Sequence, residues 1–251
     1  MTVAQQEPDQ SGVALWLMHL PAAEAVTWPT HPYLSALESA RAQSLPDPAA
    51  RGFYTASVVF RRTVLGALLN LPPAEVCFEP VPRGHKPCLA RHQNPADWQF
   101  NLSHSGEYAV LAVVQGRAVG IDLERMRGAV NWRGVAQTAF SPSEQKALLA
   151  AAPVQKLEVF YHLWTAKEAY FKACGVGLGA PLEAVAVAVG NVAGAEIRVV
   201  QPIPGDVKQW WGQSVILPAA LQAQYRAAVI VQAAPTGRFS ISVQRWTPAD
   251  C

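Results

Sequence analysis

The run AVGIDLE, Ala118 to Glu124, constrains this chain more than any other stretch. Its apolar residues predict a strand. Residues two apart on a strand share a face, so Asp122 and Glu124 present their carboxylates the same way. A second run, WTAKEAYFK from Trp164 to Lys172, sits in a long helical pattern, where the spacing of four puts Glu168 and Lys172 on one helix face. A fold that packs this helix on that strand gathers three carboxylates beside a lysine. Such a group suits a hard divalent cation, which takes oxygen ligands and commonly shares them with a phosphate. Each run alone has a plainer reading. A strand with two acids is usually wet on one side, and a Glu–Lys pair at i,i+4 is usually a surface pair contributing only about 0.3 kcal/mol.

The neighbouring segments supply the rest of the architecture. VALWLMHL (Val13 to Leu20) predicts a first strand, its near-continuous apolarity implying burial on both faces. A short helix follows around Leu34 to Ser44. LPDPAARG then breaks the pattern before a long helix from about Phe53 to Leu69, which Asn70-Leu71-Pro72-Pro73 stops. Strands are predicted at Val76–Phe78, Phe100–Ser103, Tyr108–Val114 and Arg117–Glu124, with a turn at Gln115-Gly116. A helix opens at Ser141-Pro142-Ser143-Glu144, a serine cap with proline at the first helical position. The acidic helix runs from about Val154 to Ala173 and ends at Gly175. AVAVAVG, AEIRVV, YRAAVIV and FSISVQRW then predict strands, with turns at Gly190-Asn191 and Pro204-Gly205. Strands plus one long helix in each half, without strict βαβ alternation, make the fold class α+β.

A chain of 251 residues, 51% hydrophobic and 15% charged, can bury a sizeable core. The net charge of +2 gives no argument for nucleic acid. Charge is nevertheless uneven. Between Arg51 and Arg91, Arg51, Arg61, Arg62, Arg83, Lys86 and Arg91 face only Glu75 and Glu79, an excess that suits a phosphate-rich ligand or, more plainly, a solvated basic face. Cys77, Cys88, Cys174 and Cys251 show no metal-ligand spacing and read as free thiols of a reducing compartment. Residues 1–12 read as a disordered polar tail without signal-peptide character, and no apolar stretch is long enough to cross a bilayer. The expectation is a cytoplasmic protein with no membrane partner.

Two further blocks join the acidic ones. Arg61-Arg62-Thr63 opens RRTVLGALL, and Lys86-Pro87 precedes Phe100-Asn101-Leu102-Ser103-His104-Ser105. Taken in order from about Arg51 to Gly179, these four stretches resemble the Sfp-type 4'-phosphopantetheinyl transferases. The resemblance implies a monomeric pseudo-dimer of two similar α+β halves with the active site in the cleft between them. It puts residues 13–115 in a first half carrying the coenzyme A-binding residues and 116–251 in a second half carrying the acids and catalytic helix. It further implies transfer of the phosphopantetheine arm of coenzyme A to a serine of an apo acyl or peptidyl carrier protein.

On this resemblance Asp122, Glu124 and Glu168 match the metal-binding acids and would hold Mg²⁺, with Mn²⁺ a substitute. Asp122, Glu168 and Lys172 form the catalytic set, Glu168 taking the serine proton directly or through a metal-bound water and Lys172 neutralising phosphate charge. Arg62, Thr63, Lys86, Ser103 and His104 match positions that grip the nucleotide end of coenzyme A, as donors of these types suit phosphate oxygens. A core histidine is the alternative for His104. Asn101 and Ser105 are read as turn-forming, Trp164 as core packing and Lys167 as structural. The chain departs from the family where several basic residues usually precede the Arg62 helix. SLPDPAARGF offers only Arg51 there, so Arg51 and Arg61 are the open candidates for the 3'-phosphate. A Mg²⁺-dependent nucleotide pyrophosphatase, another coenzyme A-dependent transferase and an inactive carrier-binding relative are the competing functions. The first would cleave coenzyme A without a carrier, and the last would do no chemistry.

Overall fold

The computed structural model describes residues 12–25, 27–80, 86–176, 181–190, 194–232 and 240–247. In chain order the first elements are β1 (Val13–His19), a turn of helix α1 (Ala22–Ala25), α2 (Ala36–Gln43) and α3 (Pro48–Leu69). They are followed by β2 (Trp98–Ser105), β3 (Tyr108–Gln115), β4 (Val119–Arg125), α4 (Trp132–Ala139), α5 (Pro142–Ala150) and α6 (Lys156–Cys174). The remainder comprises β5 (Ala186–Val189), β6 (Glu196–Gln201), β7 (Trp210–Ser214), the short α7 (Ala219–Gln222), β8 (Tyr225–Gln232) and β9 (Ile241–Trp246). Among the described residues no helix is long and apolar enough to cross a membrane.

The strands form two sheets, ordered β2-β3-β1-β9 and β4-β8-β7-β6-β5. The period of two along β1 explains how they stack. Ala14, Trp16 and Met18 meet Ala56, Val59, Phe60 and Val64 of α3. Val13, Leu15 and Leu17, on the opposite face, share a core with Val119, Ile121 and Leu123 of β4 and Val229 and Val231 of β8. The outer face of the second sheet, through Ala228 and Ile230, packs on Phe160, Leu163, Ala166 and Tyr170 of α6. The layers therefore run α3, first sheet, second sheet, α6, with apolar side chains at each of the three boundaries. This is an α+β fold in which each sheet carries one long helix.

Local chemistry sets the helix ends, in one case against the sequence reading. The Asp-Pro of LPDPAARG does not break a helix but starts one: Asp47 accepts from the Ala50 amide at 3.0 Å and Pro48 takes the first turn. Arg51 therefore lies within α3. Asn70 ends that helix in the left-handed region, φ 53°. Ser141 and Glu144 cap α5 reciprocally, and Gly175 ends α6 at φ 71°. The strand expected at Val76–Phe78 is only a single bridge, Phe78 to Leu89. Helix α4 and strand β7 carry no signal in the sequence reading. Gly116 turns between β3 and β4, at the expected join of the halves, with φ 67°. Strand β9, which the 116–251 division assigns to the second half, instead pairs parallel to β1 in the first sheet. Asn191 of the expected Gly190-Asn191 turn and residues 1–11 of the expected tail lie outside the described residues.

Candidate active site at the meeting of two sheet edges

The site forms where β2, an edge of the first sheet, meets β4, an edge of the second. On β4 the pattern divides the residues as the alternation requires. Ile121 and Leu123 point into the core between the sheets, while Gly120, Asp122 and Glu124 face α6. Gly120 permits the close approach. A methyl group there would lie 2.0 Å from the Ala169 carbonyl oxygen and 2.4 Å from the Ala173 amide nitrogen. Along α6, Trp164, Glu168 and Lys172 repeat every four residues and are half-buried in an otherwise buried stretch. Strand and helix together thus bring Asp122, Glu124, Trp164, Glu168 and Lys172 around one cavity of about 350 Å³, which Ser103 and His104 complete from β2.

Hydrogen bonding inside the cavity is asymmetric. Lys172 donates from Nζ to Asp122 Oδ1 at 2.6 Å and to Ser103 Oγ at 3.0 Å, and Ser103 donates in turn to Asp122 Oδ1 at 3.0 Å. Both bonds to Asp122 fall on the same carboxylate oxygen. Asp122 Oδ2 is buried and has no partner. A buried carboxylate oxygen without a donor is costly unless something positive meets it. Ser105 donates to Glu124 Oε2 at 2.9 Å. Burial, followed by the charge of Asp122, pushes the carboxyls of both Glu124 and Glu168 above their ordinary values. The bond from Ser105 and one from Trp164 partly offset the rise at Glu124.

These features suit a divalent cation by donor chemistry. Three oxygen-bearing acids line one cavity, one offers an orphaned oxygen, and burial together with the charge of Asp122 raises the carboxyls of the other two. They do not amount to a closed shell. Among the described residues no three acidic, histidine or cysteine groups converge tightly enough to form one, and the Lys172 ammonium sits on Asp122.

A larger cavity of about 710 Å³ adjoins this one, and Leu102 and His104 line both. Arg41, Arg61, Arg127, Phe53 and Tyr54 contribute to its walls. His104 stacks obliquely near Phe53 with ring centroids 5.6 Å apart. Although an edge of His104 stays exposed, loss of water around the ring and then the charge of Lys172 hold its imidazole below the ordinary value. His104 is therefore a residue of the cavity mouth and not a core histidine.

The expected nucleotide ligands separate into two groups. Ser103 and His104 reach the cavity. Arg62 is a core residue instead: Nε and Nη2 bind Glu38 Oε2 at 3.1 and 2.8 Å, while Nη1 binds the carbonyls of Pro73 and Val76 at 3.2 and 2.8 Å. Its burial beneath Phe78 removes it from any ligand's reach. Thr63 is buried beside it. Arg51 gives Nε and Nη2 to the Leu45 carbonyl, tying α3 to the preceding loop. Lys86 donates to the Val119 carbonyl at 2.7 Å, at the start of β4, and lines neither cavity. Arg61 binds Glu38 Oε1 at 2.7 Å but keeps a buried Nε without a partner along the larger cavity.

Three further residues, on one helix and one strand, differ from their sequence reading. Trp164 lines the small cavity as well as packing near Phe160. Asn101 and Ser105 lie within β2 and not in a turn. The signal was present in both cases: Trp164 falls on the Glu168 and Lys172 stripe, and Asn101, Ser103 and Ser105 repeat at the strand period. Lys167 points away from the cavity and is wholly buried against Glu144.

Comparisons with known proteins agree with this geometry. Residues 118–230 match the sequence model of the 4'-phosphopantetheinyl transferase superfamily, and residues 52–116 match that of a 4'-phosphopantetheinyl transferase N-terminal region. The chain is 36% identical over 186 residues to the 4'-phosphopantetheinyl transferase HetI of Nostoc sp., covering 74% of this chain and 78% of that one. It is 30% identical over 177 residues to a putative 4'-phosphopantetheinyl transferase of Synechocystis sp., covering 70% of each. It is 33% identical over 129 residues to the 4'-phosphopantetheinyl transferase Sfp of Bacillus subtilis, covering 51% of this chain and 54% of that one.

Proposed function

The chain belongs to the 4'-phosphopantetheinyl transferase superfamily, and from that membership we propose that it moves the 4'-phosphopantetheine group of coenzyme A to a serine of an apo acyl or peptidyl carrier protein. The serine oxygen attacks the phosphorus that bears pantetheine. The bond from that phosphorus to the bridging oxygen breaks, and adenosine 3',5'-bisphosphate leaves with the electron pair. Phosphoryl transfer of this kind demands positioning and charge neutralisation.

The observation that carries the reading is the cavity in which Asp122, Glu124, Glu168 and Lys172 meet, with Asp122 Oδ2 buried and unpartnered. Asp122, Glu124 and Glu168 are the residues that would hold Mg²⁺ or Mn²⁺, an ion that supplies positive charge against the pyrophosphate. Lys172 neutralises charge on the transferring phosphate. Glu168, its carboxyl raised by burial, accepts the proton of the carrier serine. His104, shared by the two cavities, and Ser103 orient the phosphates, and the arginine-lined larger cavity receives the nucleotide end. Cys77, Cys88 and Cys174 are free thiols, in keeping with the cytoplasm.

The test is mass spectrometry of apo-carrier proteins from fatty-acid, polyketide and peptide synthases incubated with coenzyme A and Mg²⁺. At least one carrier serine gains the phosphopantetheine mass, and EDTA abolishes the gain. Folded enzyme that leaves all three carrier types unmodified refutes the assignment.

A further inference from the structure

The β2 sequence Asn101-Leu102-Ser103-His104-Ser105 alternates, and its three odd-numbered polar side chains are all buried, 5 to 8% exposed. They face the free edge of β4. In the pairing of β4 with β8, alternate amides of β4 point away from its partner strand. The structure supplies an acceptor for three of them: Asn101 Oδ1 takes the Ile121 amide at 2.9 Å, Ser103 Oγ the Leu123 amide at 3.2 Å, and Ser105 Oγ the Arg125 amide at 3.0 Å. Side chains of one sheet edge thus stand where a neighbouring strand's carbonyls would be, and they set β4 in register against β2.

Ser105 differs from Asn101 in one respect. A hydroxyl has one hydrogen and two lone pairs. Ser105 accepts the Arg125 amide and gives its hydrogen to Glu124 Oε2 at 2.9 Å. The Glu124 carboxylate is therefore tied to the backbone one residue along its own strand, through a side chain from the other sheet. Asn101 accepts from Ile121 and, among the described residues, bonds to no carboxylate. We infer that Ser105 is a positioning residue that fixes the rotation of Glu124 in the cavity, so that this acid meets a divalent cation already oriented. The inference rests on the cation reading of the site proposed above. Groups that orient a metal-binding carboxylate commonly change metal affinity or activity by about ten- to a hundred-fold when removed.

The experiment compares wild type, Ser105→Ala, Ser105→Thr and Asn101→Ala, with Mn²⁺ as the probe and its free concentration read by electron paramagnetic resonance. Arg125 is exposed, so its amide can turn to water in Ser105→Ala and the variant can fold. If it does not, Ser105→Cys, close in size but a weak donor, takes its place. Ser105→Ala should weaken Mn²⁺ binding about ten-fold or more and lower kcat, with the KM for coenzyme A little changed. Ser105→Thr, which keeps the hydroxyl, should restore both. Asn101→Ala should lower the melting temperature while leaving Mn²⁺ affinity near wild type. Wild-type Mn²⁺ affinity in folded Ser105→Ala, or an equal loss in Asn101→Ala, overturns the inference while the cation reading stands. A wild-type protein that binds no Mn²⁺ overturns the cation reading, and the role of Ser105 falls with it.

Discussion

Lys172 Nζ lies 2.6 Å from Asp122 Oδ1 and 3.0 Å from Ser103 Oγ, so a single ammonium on α6 joins the edges of both sheets. It is the positive charge bonded to the acidic cluster, and removing it leaves Asp122, Glu124 and Glu168 facing one another. Lys172→Ala should lower metal-free stability by about 1.5–3 kcal/mol, the range for hydrogen bonds to charged groups. Added Mg²⁺ should then raise the melting temperature of Lys172→Ala by more than that of wild type, since a cation stabilises most where charge is least balanced. Equal gains in thermal scans of the two proteins would show that Lys172 does not balance the cluster.

Lys167, five residues earlier on the same helix, should behave in the opposite way. Lys167 and Glu144 are each 1% exposed and 2.7 Å apart, and Lys167 also donates to the Val185 carbonyl. Glu144 accepts the amides of Ser141 and Val187 as well. Lys167→Met strands a buried carboxylate and should cost about 3–5 kcal/mol in denaturant unfolding. Below the unfolding transition its response to Mg²⁺ and its turnover should match wild type. A changed Mg²⁺ requirement would mean that the pair communicates with the cavity.

Arg62 and His104 should also separate cleanly. Arg62→Ala removes donors from Glu38 and from the carbonyls of Pro73 and Val76, so its main effect should be a lower melting temperature. His104→Ala should keep the fold and raise the KM for coenzyme A about ten-fold or more, the size of one lost charge-assisted hydrogen bond. Calorimetric titration with coenzyme A, run beside thermal melts, distinguishes the two. An unchanged affinity in His104→Ala removes it from the ligand site.

The contrast between these two residues shows what the sequence could convey. Spacing of two on a strand and four on a helix located Asp122, Glu124, Glu168 and Lys172, because those periods are set by local backbone geometry. The stop at Asn70 and the caps at Ser141 and Gly175 were legible for the same reason. Arg62 was not: basic residues near a phosphate site and basic residues bonded to buried carbonyls look alike until the distant Glu38, Pro73 and Val76 are folded against them. Asp47-Pro48 was ambiguous between a helix break and a helix start, a choice that the Ala50 amide decides. The return of β9 to pair with β1 depends on contacts across nearly the whole chain, and no local pattern encodes it. The bonds from Asn101 and Ser105 to the amides of β4 likewise appear only once two sheets meet.

Lys86 provides a test by pH. Burial pulls its ammonium down to about 8 from the ordinary 10.5. Below about pH 8 the folded protein carries the full penalty of a charged, half-buried lysine. As pH rises from about 8 toward 10.5 the folded state releases its proton before the unfolded state does, so the penalty is lost and stability rises. Lys86→Met should lack this increment, and the difference in unfolding free energy between the two proteins should shift toward wild type across that window. Parallel curves from pH 7 to 10.5 would mean that Lys86 titrates as it does in water.

Glu168 bears the most consequential prediction, because its role as a base separates an active-site helix from a merely acidic one. If Glu168 were only a helix-surface partner of Lys172, Glu168→Gln would cost a few tenths of a kcal/mol and leave turnover intact. The structure gives no such pair: Lys172 binds Asp122, and Glu168 lines the cavity with its carboxyl raised by burial and by Asp122. Glutamine keeps the size and helix propensity but cannot take a proton and brings no charge to a cation. Loss of a general base lowers rates by about 10²–10⁴-fold. Asp122→Asn should also impair turnover, through the oxygen that now lacks a partner. The two variants should differ without metal. Glu168→Gln relieves repulsion among the acids and should melt at or above wild type, whereas Asp122→Asn weakens the bonds from Lys172 and Ser103 and should melt below it. Both should gain less from Mg²⁺ than wild type does. Wild-type turnover of Glu168→Gln at saturating Mg²⁺ and coenzyme A would exclude Glu168 as the base.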